Sequence, residues 1–136
     1  VSLILPQLSS AVSVGALTGW MLVLTLKHVF ADFYLQNAWM AIGKDKKTGW
    51  ALPLFAHCAV HLVLTTAIML ILAPRFWFIG LIDCAIHLAI DRAKGFSVAT
   101  FNITSESRWF WWLIGTDQAL HHLTSFALAV VLAANP

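Results

Sequence analysis

Nine side chains of this 136-residue sequence share one spacing. His28 and Asp32, His57 and His61, Asp83, His87 and Asp91, and Asp117 and His121 follow one another at four-residue intervals. On helices that interval puts each set on one face. Imidazole and carboxylate converging between helices suit a divalent ion or an ion pair. Neutral histidine supplies nitrogen, ionised aspartate offsets the metal charge, and an outer carboxylate orients an imidazole by accepting its other N–H. Nine groups exceed one tetrahedral site, so one or two ions are expected, zinc first and di-iron as the alternative. His28, His57, His61, Asp83, His87 and His121 are the expected metal ligands, with His28, His61, His121 and Asp83 nearest the ion. Asp32, Asp91 or Asp117 would take the proton from a metal-bound water whose pKa falls toward ~7.

The same residues allow other chemistry. A proton-shared polar network needs no metal. Histidines can also ligate haem or chlorophyll axially, though such sites do not need a carboxylate four residues away. His122 lies about 100° around a helix from His121 and reads as a packing or interfacial residue. Lys27, beside His28, could pair with a carboxylate, attract an anionic substrate group or snorkel. Gln36 and Gln118 adjoin the set and could hydrogen-bond a ligand or substrate.

The elements that must carry these residues are membrane spans. The chain is 60% apolar and 10% charged, against roughly 25% charged in an ordinary soluble domain. That composition excludes a typical soluble domain and disorder. A net charge of +2 with scattered Lys and Arg disfavours nucleic acid as a partner. Four apolar segments, at about 11–40, 50–73, 76–93 and 109–134, predict an all-α, single-domain four-helix bundle in the membrane. Lys44, Lys46 and Lys47 follow the first span, and Arg92, Lys94 and Arg108 flank the third loop, while Arg75 stands alone in the second turn. The positive-inside rule then puts both termini on the outer, periplasmic side. Trp39, Trp50, Trp109, Trp111 and Trp112 form a belt at the cytoplasmic boundary, and Trp77 lies at the other. The polar 94–108 stretch reads as an interfacial loop or short amphipathic element, and as the longest loop available to act as a lid. Counting inward from the boundaries sorts the polar residues into two layers, Asp32, His57, His87 and Asp117 above His28, His61, Asp83 and His121. Cys58 and Cys84 sit in apolar runs and read as core residues without a disulfide. Val1 to Ser10 has no basic start, so no cleavable signal peptide is expected there.

The motifs Lys27-His28-Val29-Phe30-Ala31-Asp32-Phe33-Tyr34-Leu35-Gln36, His57-x3-His61, Asp83-x3-His87-x3-Asp91-x2-Lys94 and Asp117-Gln118-x2-His121 resemble a family of small bacterial inner-membrane proteins of unknown function. The resemblance spans nearly the whole chain and implies an inner-membrane location but no activity. A looser likeness of spacing links the chain to intramembrane zinc hydrolases of the alkaline ceramidase and adiponectin-receptor group. Those have seven spans and another motif order, so only the design is comparable. The resulting expectation is an intramembrane metal-dependent hydrolase acting on a lipid or lipid-linked substrate from the cytoplasmic leaflet. The alternatives are a non-enzymatic metal-binding or cation/proton-relay protein, and an accessory subunit of a larger membrane complex or homo-oligomer.

Overall fold

Three of the helices start where the sequence offers a hydroxyl or amide to cap them. In the computed structural model, which describes residues 11–135, Ser13 accepts the Ala16 N–H at 3.4 Å and opens α1, Val14–Val29. α1 runs directly into a π-helical turn, Phe30–Leu35. Asn37 then accepts the Met40 N–H at 3.0 Å and opens the short α2, Ala38–Gly43. α3 spans Ala51–Leu72 and ends at a 3₁₀ turn, Pro74–Phe76, where proline cannot continue the α-helical ladder. α4 covers Ile79–Phe101, and α5 covers Arg108–Ala133 behind Ser107, whose hydroxyl accepts the Trp109 N–H at 3.3 Å. The described residues contain helices and no strand.

Two differences from the sequence expectation have physical causes. The first apolar segment is not one helix. The widened π turn and the extended Gln36–Asn37 link break it, with the Gln36 side chain donating to the Asp32 carbonyl at 3.0 Å. The 94–108 stretch is helical as far as Phe101, so only 102–107 is left as a loop. Asn102 ends the helix at φ 50°, a left-handed position that asparagine tolerates, with the Ile103 N–H closing back on the Val98 carbonyl at 3.0 Å. The Val1–Ser10 expectation lies outside the described residues.

Val14–Leu35 and Ala51–Leu72, 22 residues each with mean hydropathy 1.4 and 2.1, are long and apolar enough to cross a membrane. α4 and α5 are longer but carry charges in their apolar runs. α3 packs along α4, α4 against α5, α5 against α1 and α1 against α3. The α3–α4 contact is close because Gly80 faces Thr66, where a Cβ would overlap the threonine side chain.

Burial is inverted relative to a soluble domain. Leu22, Phe33, Val63, Ile71, Leu81 and Leu123 are exposed, while His57, His61, His87, Asp91, Lys27 and Lys44 are buried. One end of the interior is an apolar plug of Leu24, Met69, Phe76, Ile79, Ala129 and Leu132. The buried polar residues lie outside that plug, together with buried Ala31, Leu54 and Cys58. Cys58 and Cys84 are both free thiols, the Cys84 Sγ lying 3.6 Å from the Cys58 carbonyl.

Candidate metal centre

Every long helix contributes to the polar interior. α1 supplies Lys27 and His28, the π turn Asp32, α3 His57 and His61, α4 Asp83, His87 and Asp91, and α5 Asp117 and His121. The π turn bears on the geometry, since an inserted residue widens the helix and re-aims the side chains around it. It sits where His28 and Asp32 face each other, Nε2 to Oδ2 at 3.3 Å.

Two carboxylates organise the imidazoles. Asp32 Oδ1 lies 2.9 Å from His61 Nε2 and 3.5 Å from His57 Nε2. Asp91 Oδ2 lies 3.4 Å from His57 Nε2 and 3.5 Å from His87 Nε2, and its Oδ1 lies 3.4 Å from His121 Nε2. His57 Nε2 and His87 Nε2 are 3.0 Å apart. The rings of His61 and His87 stack at 3.7 Å between centroids, and those of His87 and His121 at 4.1 Å. Donor atoms 2.0–2.1 Å from a tetrahedral ion are about 3.3 Å from one another. The contacts of His57 Nε2 with His87, Asp91 and Asp32, at 3.0, 3.4 and 3.5 Å, bracket that edge length.

Three overlapping sets could hold an ion, each with its donor atoms within 4.8 Å of one another: Asp32, His57, His61 and His87; His28, His87 and His121; and Asp91, Asp117 and His121. His87 belongs to two of them, as does His121. Polar atoms without partners point the same way. His28 Nε2, His57 Nδ1 and Asp117 Oδ1 are buried without a hydrogen bond among the described residues. His28 Nε2 and Asp117 Oδ1 do have ionic neighbours, Asp32 at 3.3 Å and His121 at 3.7 Å, but with poor hydrogen-bond geometry.

Of the expected ligands, His28, His57, His61, His87 and His121 fall into these sets, and Asp83 does not. Asp83 Oδ2 instead accepts from Lys27 Nζ at 2.8 Å and from the Thr65 hydroxyl at 2.6 Å. Lys27 Nζ also lies 3.5 Å from His61 Nδ1, so Asp83 supports the imidazole through the lysine. Asp32, Asp91 and Asp117, expected to handle protons, all stand among the donor atoms. The two expected layers interleave, because Asp91 touches His57, His87 and His121 together. Gln118 donates to Asp117 Oδ2 at 3.2 Å, and His122 is exposed, its ring 5.9 Å from that of His28.

Sequence reasoning missed the part Lys44 plays in the centre and met Lys94 only as a loop charge and the end of the Asp91-x2-Lys94 motif. Lys44, counted there only as a loop charge, turns back so that Nζ lies 2.7 Å from Asp91 Oδ2. No spacing could reveal a pair 47 residues apart. Lys94 reaches 3.6 Å from Asp117 Oδ2 and 4.0 Å from Asp91 Oδ1, and its i,i+3 relation to Asp91 was the available signal. Gly95 admits the Lys44 turn, since a Cβ there would stand 2.7 Å from the Lys44 carbonyl oxygen.

A family model described as "Protein of unknown function (DUF3307)" matches residues 20–135, a stretch that contains the whole centre. The chain belongs to the DUF3307 family. No curated protein and no solved structure matches it. The chemistry of this DUF3307 chain therefore has to be argued from its own residues. Nitrogen and carboxylate oxygen in one buried cluster suit a divalent ion, and the lysines paired with Asp83, Asp91 and Asp117 limit the negative charge left bare.

Proposed function

We propose that this chain is a four-helix bundle of the bacterial inner membrane, with both termini periplasmic, holding one or two divalent ions, zinc first. In this reading it is a metal-dependent hydrolase acting on a lipid or lipid-linked substrate that enters from the cytoplasmic leaflet. The observation that carries it is the meeting of His57 Nε2 with His87 Nε2, Asp32 Oδ1 and Asp91 Oδ2 at 3.0–3.5 Å. His57, His61, His87 and Asp32 hold the first ion, and His28 and His121 stand beside it. Asp117, with one oxygen unpaired among the described residues, is the base for an activated water.

The outward leucines, valines and phenylalanines of all four long helices support a lipid surround. A lipid chain has a place to lie. A groove of about 580 Å³ between α1 and α3, walled by Val23, Leu26, Phe30, Leu64 and Ile68, has Lys27 in its lining. Lys27 is one contact from His61, so the groove runs from lipid to the edge of the centre. A relay through the membrane is less well served, because Leu24, Met69, Phe76 and Ala129 close the interior beyond the polar cluster.

Elemental analysis of detergent-purified protein beside His57→Ala and His87→Ala variants tests the metal. The wild type should carry one or two ions per chain and the folded variants less than about a tenth of that, as expected when a ligand is deleted. A metal-free wild type, or folded variants that keep the ion, would sink the proposal. Chelator-sensitive release of products from lipid vesicles tests the hydrolase itself.

A further inference from the structure

The centre holds ammonium groups as well as histidines and carboxylates. Asp83, Asp91 and Asp117 meet three ammonium groups, Lys27, Lys44 and Lys94, while the fourth carboxylate, Asp32, meets imidazoles. Lys27 is committed to Asp83. Lys44 and Lys94 come from separate elements, the turn after α2 and the body of α4, and both bear on Asp91. With neutral imidazoles these groups leave one negative charge in excess. One divalent ion converts that to one positive charge, and a second ion to three. A buried surplus of that kind needs an anion beside it. Asp91 is also shared among His57, His87 and His121. Once its oxygens serve an ion, the Lys44 and Lys94 ammonium groups become donors for another partner.

The surroundings of the lysines fit the same reading. Arg92, next to Asp91, rests its guanidinium 3.9 Å over the Trp50 ring and has a buried Nη1 without a partner among the described residues. Asp45, next to Lys44, is an opposing charge whose Oδ1 is buried without a donor among the described residues, beside the Gly95 face. Asp45 and Arg92 cancel in charge, so the surplus stands.

We propose that Lys44 and Lys94 hold the phosphate group of a lipid phosphate ester against the metal, its chain lying in the groove beside Lys27. This rests on the metal-hydrolase reading and names its substrate class. In the reaction, the water oxygen bonds to phosphorus and the P–O bond to the lipid alcohol breaks. One water proton goes to Asp117, and the leaving alkoxide takes a proton from Lys94. Asp117, 3.6 Å away, returns that proton to the lysine, so the products are inorganic phosphate and the alcohol.

The test uses metal-loaded full-length chain in uncharged detergent and measures metal content, inorganic phosphate binding and dodecyl phosphate binding on the same samples. Wild type is expected to bind dodecyl phosphate at least about tenfold tighter than inorganic phosphate. Lys44→Gln and Lys94→Gln each lose about tenfold or more while keeping the metal, as loss of a charged hydrogen-bond donor implies. Asp45→Asn, which removes the opposing charge without touching a lysine, should tighten dodecyl phosphate severalfold, and this arm stands even where a lysine variant does not fold. Full metal with no phosphate binding, unchanged affinity in folded lysine variants, or no tightening in Asp45→Asn overturns the phosphate assignment and leaves the metal reading in place. Equal affinity for the two phosphates overturns the lipid source. A metal-free wild type overturns both readings together.

Discussion

Replacing Lys27 by methionine tests how the polar interior is held together. Lys27 Nζ lies 2.8 Å from Asp83 Oδ2, with the two side chains 3% and 8% exposed. At an effective dielectric of about 20, Coulomb's law gives a gross attraction of about 6 kcal/mol at that distance. Most of it offsets the desolvation of the two ions. Methionine keeps the length of the apolar stem but leaves Asp83 with the Thr65 hydroxyl at 2.6 Å as its remaining donor. The cost is that of a stranded buried charge, about 3–5 kcal/mol. Adding Asp83→Asn leaves a neutral amide that still accepts from Thr65, and the loss relative to wild type should shrink to about 1 kcal/mol or less. The measurement is reversible unfolding in mixed detergent micelles followed by helical circular dichroism, with metal content determined alongside. Because Asp83 stands outside the three candidate donor sets, the double variant is expected to keep its ion. A Lys27→Met loss under about 1 kcal/mol, or a double variant no more stable than the single, refutes the ion-pair reasoning. A folded double variant without metal would make Asp83 a ligand after all.

Gly95→Ala places a methyl 2.7 Å from the Lys44 carbonyl and 3.3 Å from Asp45 Cα. The clash should cost about 1–3 kcal/mol against about 1 kcal/mol gained in helix propensity, and the melting midpoint should fall. Gly80→Ala drives a methyl into the Thr66 side chain and to 3.1 Å from its backbone nitrogen, where the backbone cannot yield. A loss of at least about 1–3 kcal/mol is expected, with partial recovery in the Gly80→Ala, Thr66→Ala double variant, read by the same unfolding assay. Asp45 lies in the turn outside the spans, and burial holds its carboxyl above the ordinary value despite Lys94 and Lys44 nearby. A carboxyl raised in the fold favours the folded state below its unfolded pKa, and that contribution is lost as pH rises through the folded value. Asp45→Asn should therefore raise the melting midpoint at pH 7 and leave it nearly unchanged at pH 4; an equal shift at both would contradict this.

The four-residue intervals made the cluster legible because they reflect helix periodicity alone, and every residue they picked out is drawn inward. Partner choice was less legible. Asp83 has the same spacing to His87 as Asp91 does, yet Lys27 from another helix captures it. The two-layer expectation assumed straight α-helices cut at common boundaries. The π turn at Phe30–Leu35 shifts Asp32 relative to His28, and Asp91 reaches three histidines at once, so depth along each helix did not decide contacts. The inward turn of Lys44 depends on a glycine of α4, Gly95, and left no local trace. The 94–101 stretch did not read as a continuation of the third span because its polar residues broke the apolar run, whereas Lys94 is polar because it faces the carboxylates inside.

A network of hydrogen bonds alone accounts poorly for this arrangement. His57 Nε2 faces His87 Nε2 at 3.0 Å, so one ring must donate and the other accept. If His57 donates to His87, its single N–H is unavailable to Asp32 and Asp91, and its Nδ1 is a bare buried acceptor. If it accepts, the N–H moves to Nδ1, which has no partner among the described residues. Either tautomer strands a buried group at about 1–3 kcal/mol, and His28 Nε2 and Asp117 Oδ1 add to the shortfall. A cation placed among the Nε2 atoms engages both lone pairs that otherwise confront each other. It also turns the crowding of carboxylate oxygens at 3.4 and 3.5 Å from His57 into a coordination shell. His57 is then left with its Nδ1–H as its one unmade bond, and His28 Nε2 and Asp117 Oδ1 stand in the two neighbouring donor sets, so the same residues make better sense as a metal centre than as a self-contained polar core.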